Sequence, residues 1–212
     1  MNTRSIVTWT TTLLATSGAC AGITSYTDTS SMLTDITNSA DFNGLAPGQS
    51  LVGYEEDGFR LNVNRTYFSW DAPGLDGSEM FYSNTGALEL VEITMSNGED
   101  FRDVDMQISS GWTQSQVGLT YIWAQLYDDG QLVGEFDVDM VTGSYLGLAG
   151  GGFDQILIGS YVTASIRDAH NSNERNAIAI DNLRQGTLVP APGAALLLGM
   201  GSLAFTRRTR ES

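Results

Sequence analysis

Four stretches of the chain alternate apolar and polar residues with a period of two: Val104-Asp105-Met106-Gln107-Ile108, Val117 through Tyr127, Phe136-Asp137-Val138-Asp139-Met140 and Ile178-Ala179-Ile180-Asp181. Successive side chains of a strand point to opposite faces, so this pattern predicts half-buried strands of an antiparallel sheet; no helical period competes with it. Between Tyr127 and Leu132 lies Asp128-Asp129-Gly130-Gln131, whose Asp-Gly step supplies the positive φ of a tight turn. A hairpin is therefore predicted over Tyr121 to Met140. Further strands are expected at Ser50–Tyr54, Phe59–Val63, Tyr67–Trp70, Glu79–Tyr82, Leu88–Met95 and Phe153–Ile158. About ten short strands separated by turn residues predict an all-β fold, a two-sheet antiparallel sandwich. Gly147 to Gly152 reads as a flexible or bulged connection.

Composition agrees: of 212 residues 24 are glycine and only 4 proline, with Thr, Val, Ile, Tyr and Phe recurring in short runs. Residues 22–188, the right length for one domain, carry six arginines against 24 of the 25 acidic residues. Nucleic acid and anionic membrane are disfavoured as partners of so acidic a surface. Lysine is absent throughout, which excludes Schiff-base and Ser-Lys chemistry and Lys–Asn isopeptide cross-links. Cys20 is the only cysteine and falls near the start, so the domain after it has no disulfide.

Both ends differ from this middle. Arg4 precedes a modestly apolar stretch from Ile6 to Ala15, and small residues end it at Ala19-Cys20-Ala21. The small-x-small arrangement of Ala19 and Ala21 predicts a secretory signal, residues 1–21, cut by signal peptidase before Gly22. A lipoprotein signal acylated at Cys20 would want Leu where this chain has Ser17, and a first strand is the remaining reading of the stretch. The far end, residues 189–212, runs Val189-Pro190-Ala191-Pro192-Gly193, an apolar segment Ala194 to Phe205, then Arg207, Arg208 and Arg210. A dozen apolar residues fall short of the ~20 of a comfortable membrane span. The arginines would hold the far end on the cytoplasmic side, and the prolines keep the segment outside the membrane extended. A transient anchor that is later cut fits this order.

That order resembles the PEP-CTERM sorting domain, the Pro-Glu-Pro C-terminal tail that exosortase-type transpeptidases process in Gram-negative and related bacteria. Ala191 stands where the family has glutamate, as in a Val-Pro-Ala-Pro-Gly variant of the same group. Asp41-Phe42-Asn43-Gly44-Leu45 with Glu56-Asp57-Gly58-Phe59, the hairpin Tyr127 to Gly134, Phe153-Asp154-Gln155-Ile156 and the closing Ala179-Ile180-Asp181-Asn182-Leu183 resemble the jelly-roll domains attached to such tails. The resemblance implies a jelly-roll or lectin-like sandwich in residues 22–188, with fold-level kinship to carbohydrate-binding domains.

Catalytic chemistry finds few footholds. His170 is the sole histidine, in a polar loop; no Gly-x-Ser-x-Gly turn and no phosphate loop is present. One histidine and a leader cysteine cannot supply zinc ligands. Any two of Glu55, Glu56, Glu79, Glu89, Glu92, Glu99 and Glu135 could face one cleft for glycoside cleavage, but nothing in their spacing selects a pair. Calcium is the better-motivated ion and no other cofactor is expected. The acidic run Glu99 to Asp105 and Asp128-Asp129 offer oxygen ligands without matching an EF-hand. Asp181, closing a nearly apolar strand, reads either as a structural calcium ligand shared with Asp41 or as a strand-end cap. Trp70 and Trp112 sit in loop-like settings, where a ring can stack on a sugar face or turn into the core.

The expected function is that of an exported, non-catalytic cell-surface or extracellular-matrix protein contacting polysaccharide or other surface components. An extracellular glycan hydrolase or lyase and a purely structural coat component are the alternatives. Its processing partners would be signal peptidase and an exosortase-type enzyme, with transient membrane anchoring by the tail.

Overall fold

The computed structural model describes residues 22–46, 49–50, 52–63, 79–83, 90–110, 119–161, 175–176 and 178–188. Thirteen strands run through them: β1 (Thr24–Asp28), β2 (Leu33–Ala40), β3 (Tyr54–Glu56), β4 (Phe59–Val63), β5 (Phe81–Ser83), β6 (Val91–Met95), β7 (Asp103–Ser110), β8 (Leu119–Asp128), β9 (Gln131–Val141), β10 (Tyr145–Ala149), β11 (Gln155–Tyr161), β12 (Arg175–Asn176) and β13 (Ile178–Leu188). Among the described residues there is no helix. The expected strand Tyr67–Trp70 and the first two residues of the expected strand Leu88–Met95 lie outside the described residues, as do the leader and the tail.

Two antiparallel sheets face each other. One has the order β1-β10-β7-β13-β2, with β5 also paired to β13; the other has the order β3-β4-β6-β11-β8-β9, with β12 paired to β11. The all-β, two-sheet sandwich is therefore the fold. Period-two patterning explains it strand by strand. Val104, Met106 and Ile108 of β7 and Ile178, Ile180 and Leu183 of β13 point inward from the first sheet. Phe59, Leu61, Val63, Val91, Ile93, Ile122, Ala124, Leu126, Ile156 and Ile158 meet them from the second, all buried in one core. Burying each of the large side chains contributes about 1.5–3 kcal/mol. Stacked rings support this core at two places: Phe101 lies 5.3 Å from Phe153 and 6.5 Å from Phe59, and Phe42, Tyr54 and Phe81 form a tilted trio.

The predicted hairpin is β8–β9. Asp128 faces Gln131 across the turn, and both central residues have positive φ, Asp129 at 48° and Gly130 at 76°. That is the two-residue turn whose twist matches the strands it joins. Gly147 is a correction. The segment Gly147 to Gly152 is not one connection, because β10 runs through Gly147 to Ala149, and the link to β11 begins at Gly150, with Gly150, Gly151 and Gly152 at positive φ followed by Phe153 and Asp154. Gly147 is needed in the strand because Tyr26 of β1 lies across it, and a Cβ there would stand 1.7 Å from the Tyr26 Cζ.

β13 carries a bulge. Ile180 and Leu183 both face the core although three residues apart, and Asn182 between them adopts a φ of 46°. The register against β7 shifts between Asp181 and Arg184. The extra residue keeps both apolar side chains inward and turns Arg184 to the outer face.

Candidate binding face

The outer surfaces of the two sheets differ in kind. On the six-stranded sheet the connection Thr29 to Met32 joins β1 and β2, which are opposite edges, and passes over the outer face. Beneath it a cross-strand row runs Tyr26, Gly147, Asp105, Arg184, Ser39. Asp105 is fully buried there although it faces away from the core. Ser31 donates to its Oδ2 at 2.6 Å, and Arg184 Nε donates to its Oδ1 at 3.2 Å. The Arg184 guanidinium also lies 4.5 Å from the Tyr145 ring centre, a cation–π contact. Burial pushes the Asp105 carboxyl up, against the pull of Ser31 and Arg184. Burial and the nearby Asp105 and Asp103 charges likewise raise the Tyr26 phenol. From Tyr26 to Arg184 this row is a covered structural network, and only Ser39 at its end is exposed.

The seven-stranded sheet presents an open polar face. Alternation puts Asn62 of β4, Glu92 of β6, Leu157 of β11, Gln125 of β8 and Glu135 of β9 in one row across five strands. Asn62, Glu92, Leu157 and Gln125 are half-buried and Glu135 is exposed. Neighbouring amides hold the two carboxylates. Asn62 Nδ2 donates to Glu92 Oε2 at 3.3 Å, and Gln155 Nε2 donates to Glu92 Oε1. Glu135 Oε1 accepts from Trp123 Nε1 at 2.8 Å and from Gln125 Nε2 at 3.2 Å. Tyr127 adds a half-buried ring, its hydroxyl donating to Gln125 Oε1 at 3.3 Å.

A second row runs beside the first: Glu55, Arg60, Thr94, Gln155, Tyr127, Leu132. Glu55 and Arg60 form an exposed ion pair at 3.7 Å. Where this row nears the β8–β9 turn, an open depression of about 380 Å³ is lined by Arg60, Thr94, Ser96, Gly130, Asp154 and Gln155 among others. Next to it Asp129 N–H donates to Asp154 at 3.3 Å. Partial desolvation and the charges of Asp100, Asp129 and Asp154 raise the Asp128 carboxyl. The face is thus planar, amide- and carboxylate-rich, and negative.

Several residues singled out in the sequence fall elsewhere. Trp70, Trp112, His170 and Glu89 lie outside the described residues, as do Ala19, Ala21, Val189 to Gly193, Arg207, Arg208 and Arg210. Asp41 is exposed beyond β2 and accepts from Asn43 N–H at 3.1 Å, a bond that lowers its pKa. Asp181 is buried, and its Oδ1 accepts from Asn182 N–H at 2.8 Å within the bulge. Among the described residues no three His, Cys, Asp or Glu side chains gather in a way that could hold a metal ion. Glu56 has a structural task, accepting from the backbone N–H of Asp41 and Phe42 and from the Tyr54 hydroxyl.

The amides Asn62, Gln125 and Gln155 were not singled out from the sequence. Their signal was present, since each occupies the outward phase of a strand whose inward neighbours are apolar, Leu61 and Val63 for Asn62, Ala124 and Leu126 for Gln125 and Ile156 for Gln155, but only the register shows that those outward positions line up. No family model, curated protein or solved structure matches this chain. No helix among the described residues is long and apolar enough to cross a membrane.

Proposed function

We propose that this is an exported, non-catalytic protein of the cell surface or extracellular matrix that contacts polysaccharide through the outer face of its seven-stranded sheet. One observation carries the reading: the row Asn62, Glu92, Leu157, Gln125, Glu135 crosses five neighbouring strands, with Glu92 pinned by Asn62 and Gln155 on one side of Leu157 and Glu135 pinned by Gln125 and Trp123 on the other. Sugars are recognised by planar amides and carboxylates that meet several hydroxyls at once, and pre-positioned partners avoid the entropy of ordering them on binding. The face is open rather than a pocket, which suits a polymer. Export and surface placement rest on the leader ending at Ala21 and on the tail from Val189, read as a PEP-CTERM domain cut by an exosortase-type enzyme.

Spacing supports a binding role over hydrolysis. Glu92 and Glu135 are three strand spacings apart, roughly 14 Å at the backbone. Carboxylates that share a glycosidic bond stand roughly 5–9.5 Å apart. Each of the two is also tied to its own amide neighbours, which holds it in place. Incubating the exported protein with an immobilised polysaccharide panel, while following reducing ends, tests the reading: retention without turnover is expected. Release of reducing ends would replace it with an enzyme, and no retention on any polymer would leave a coat component.

A further inference from the structure

We propose that the polymer taken by this face carries free ammonium groups, as a deacetylated amino-sugar polymer does, and that uronate polymers are rejected; this rests on the polysaccharide reading above. The argument is charge complementarity. Glu92 and Glu135 stand in the central row, and Glu55 stands in the row beside it. Among the described side chains of the face the one cation is Arg60, and it is engaged with Glu55 at 3.7 Å. The chain has no lysine to add another.

The way the carboxylates are held sharpens this. Every donor that fixes Glu92 and Glu135 is neutral: two amides for the first, an indole and an amide for the second. Neutral donors orient a carboxylate without cancelling its charge. A carboxylate has about four acceptor sites, so each retains capacity after its two bonds. In Glu135 both bonds fall on Oε1, which leaves Oε2 for a ligand donor. A charge-assisted bond from an ammonium to such an oxygen is roughly twice as strong as one from a hydroxyl. A uronate at the same position would place like charge beside like charge, which is how a surface excludes a wrong partner.

The row also sets a direction. It crosses β4, β6, β11, β8 and β9, four strand spacings or roughly 19 Å, so the polymer lies across the strands and meets both carboxylates along one chain. An isolated sugar could reach only one of them. Affinity should therefore rise steeply with oligomer length until both are spanned.

The test uses the exported protein with three probes of equal length: a fully deacetylated chito-oligomer, the fully N-acetylated oligomer and an oligogalacturonate. At low salt the deacetylated oligomer is expected to bind at least tenfold tighter than the acetylated one, with the gap closing as salt rises, and the uronate is expected not to bind. Because any polycation is drawn to so acidic a protein, Glu92→Gln with Glu135→Gln, its folding checked by melting, is the decisive variant. It should bring the two chito-oligomers to similar affinity while leaving adsorption of polylysine unchanged. An acetylated oligomer that binds as tightly as the deacetylated one overturns the ammonium inference alone. A preference for the ammonium form that survives in the double variant overturns it as well. Failure of all three oligomers to bind overturns the polysaccharide reading and this one with it.

Discussion

Tyr26 and Asp105 show how much a sealed outer face asks of single residues. The Tyr26 ring occupies the space that any side chain at position 147 would need. Gly147→Ala is therefore expected to expel the ring and lower stability by about 1–3 kcal/mol, the usual cost of overpacking, measured by denaturant unfolding. The Tyr26 hydroxyl is buried and has no hydrogen-bond partner. Removing an orphaned polar atom relieves its desolvation, so Tyr26→Phe should leave the protein as stable or more stable. A loss above about 1 kcal/mol would reveal a bridging partner such as an ordered water. Asp105 makes a pH-dependent contribution of unusual sign. Burial raises its pKa, so the folded state holds the proton more tightly than the unfolded chain. That contribution is complete below the unfolded value and lost as pH rises through the folded one. The wild type should accordingly lose stability relative to Asp105→Asn as pH rises above about 4, the unfolded carboxyl's range, followed as the difference of two melting curves. A difference of the opposite sign would mean that the Arg184 ion pair outweighs burial.

The strands that alternate cleanly were legible, and those that were missed have physical reasons. β4, β6, β7, β8, β9 and β11 each bury one face, so period two is written into them. β10 is buried on both faces, from Tyr145 to Ala149, which erases the alternation and lets Gly147 pass for a loop. β2 fails in the other direction: only Leu33 and Ala40 are buried, and Asp35 at a φ of 48° interrupts the pairing. An edge strand need not be hydrophobic. β9 is also an edge, terminal in its sheet and paired among the described strands only with β8, with Leu132 and Val141 half or more exposed at its two ends. Such an edge invites pairing with another copy, and charged side chains are the common guard against it. Antiparallel pairing of two β9 edges centred on Asp137 would set Asp137 against its own copy and Glu135 against Asp139. Asp137→Val with Asp139→Val is therefore expected to produce dimers or larger species in size-exclusion chromatography with light scattering, where the wild type elutes as a smaller species. An unchanged elution profile at matched concentration would remove the charges from that role.

At the scale of the whole molecule, the fold and the candidate face were legible to different degrees. The sandwich could be read from patterning because core burial acts on every strand. The binding face could not, because it depends on which outward residues the register sets side by side: Gln125 opposite Glu135, and Asn62 opposite Glu92. The ends are proposed above to be read by a membrane and by processing enzymes rather than by the fold. How these ends meet the sandwich leads to a prediction. At the front, a Cβ on Gly150 would lie 3.2 Å from the Gly22 carbonyl oxygen, so the first residue after the expected signal cut already touches the fold. At the back, Leu188 N–H donates to Asp103 Oδ2 at 2.8 Å, and Thr187 C=O accepts from the Thr34 hydroxyl at 3.1 Å. Val189 therefore follows directly on a strand end that is bonded to two other strands. A sorting enzyme acting at Val189 to Gly193 would work within a few residues of the sheet, and a cut inside β13 would remove bonds that hold β2 and β7. The surface-extracted protein is expected to begin at Gly22, to retain Leu188 and to lack Ala194 to Phe205. In a host without its exosortase-type enzyme, the longer form should accumulate in the membrane fraction. Intact-mass spectrometry decides it: a released mature form still containing Ala194 to Phe205 would overturn the sorting-tail reading, and an acylated start at Cys20 would move the protein to the lipoproteins.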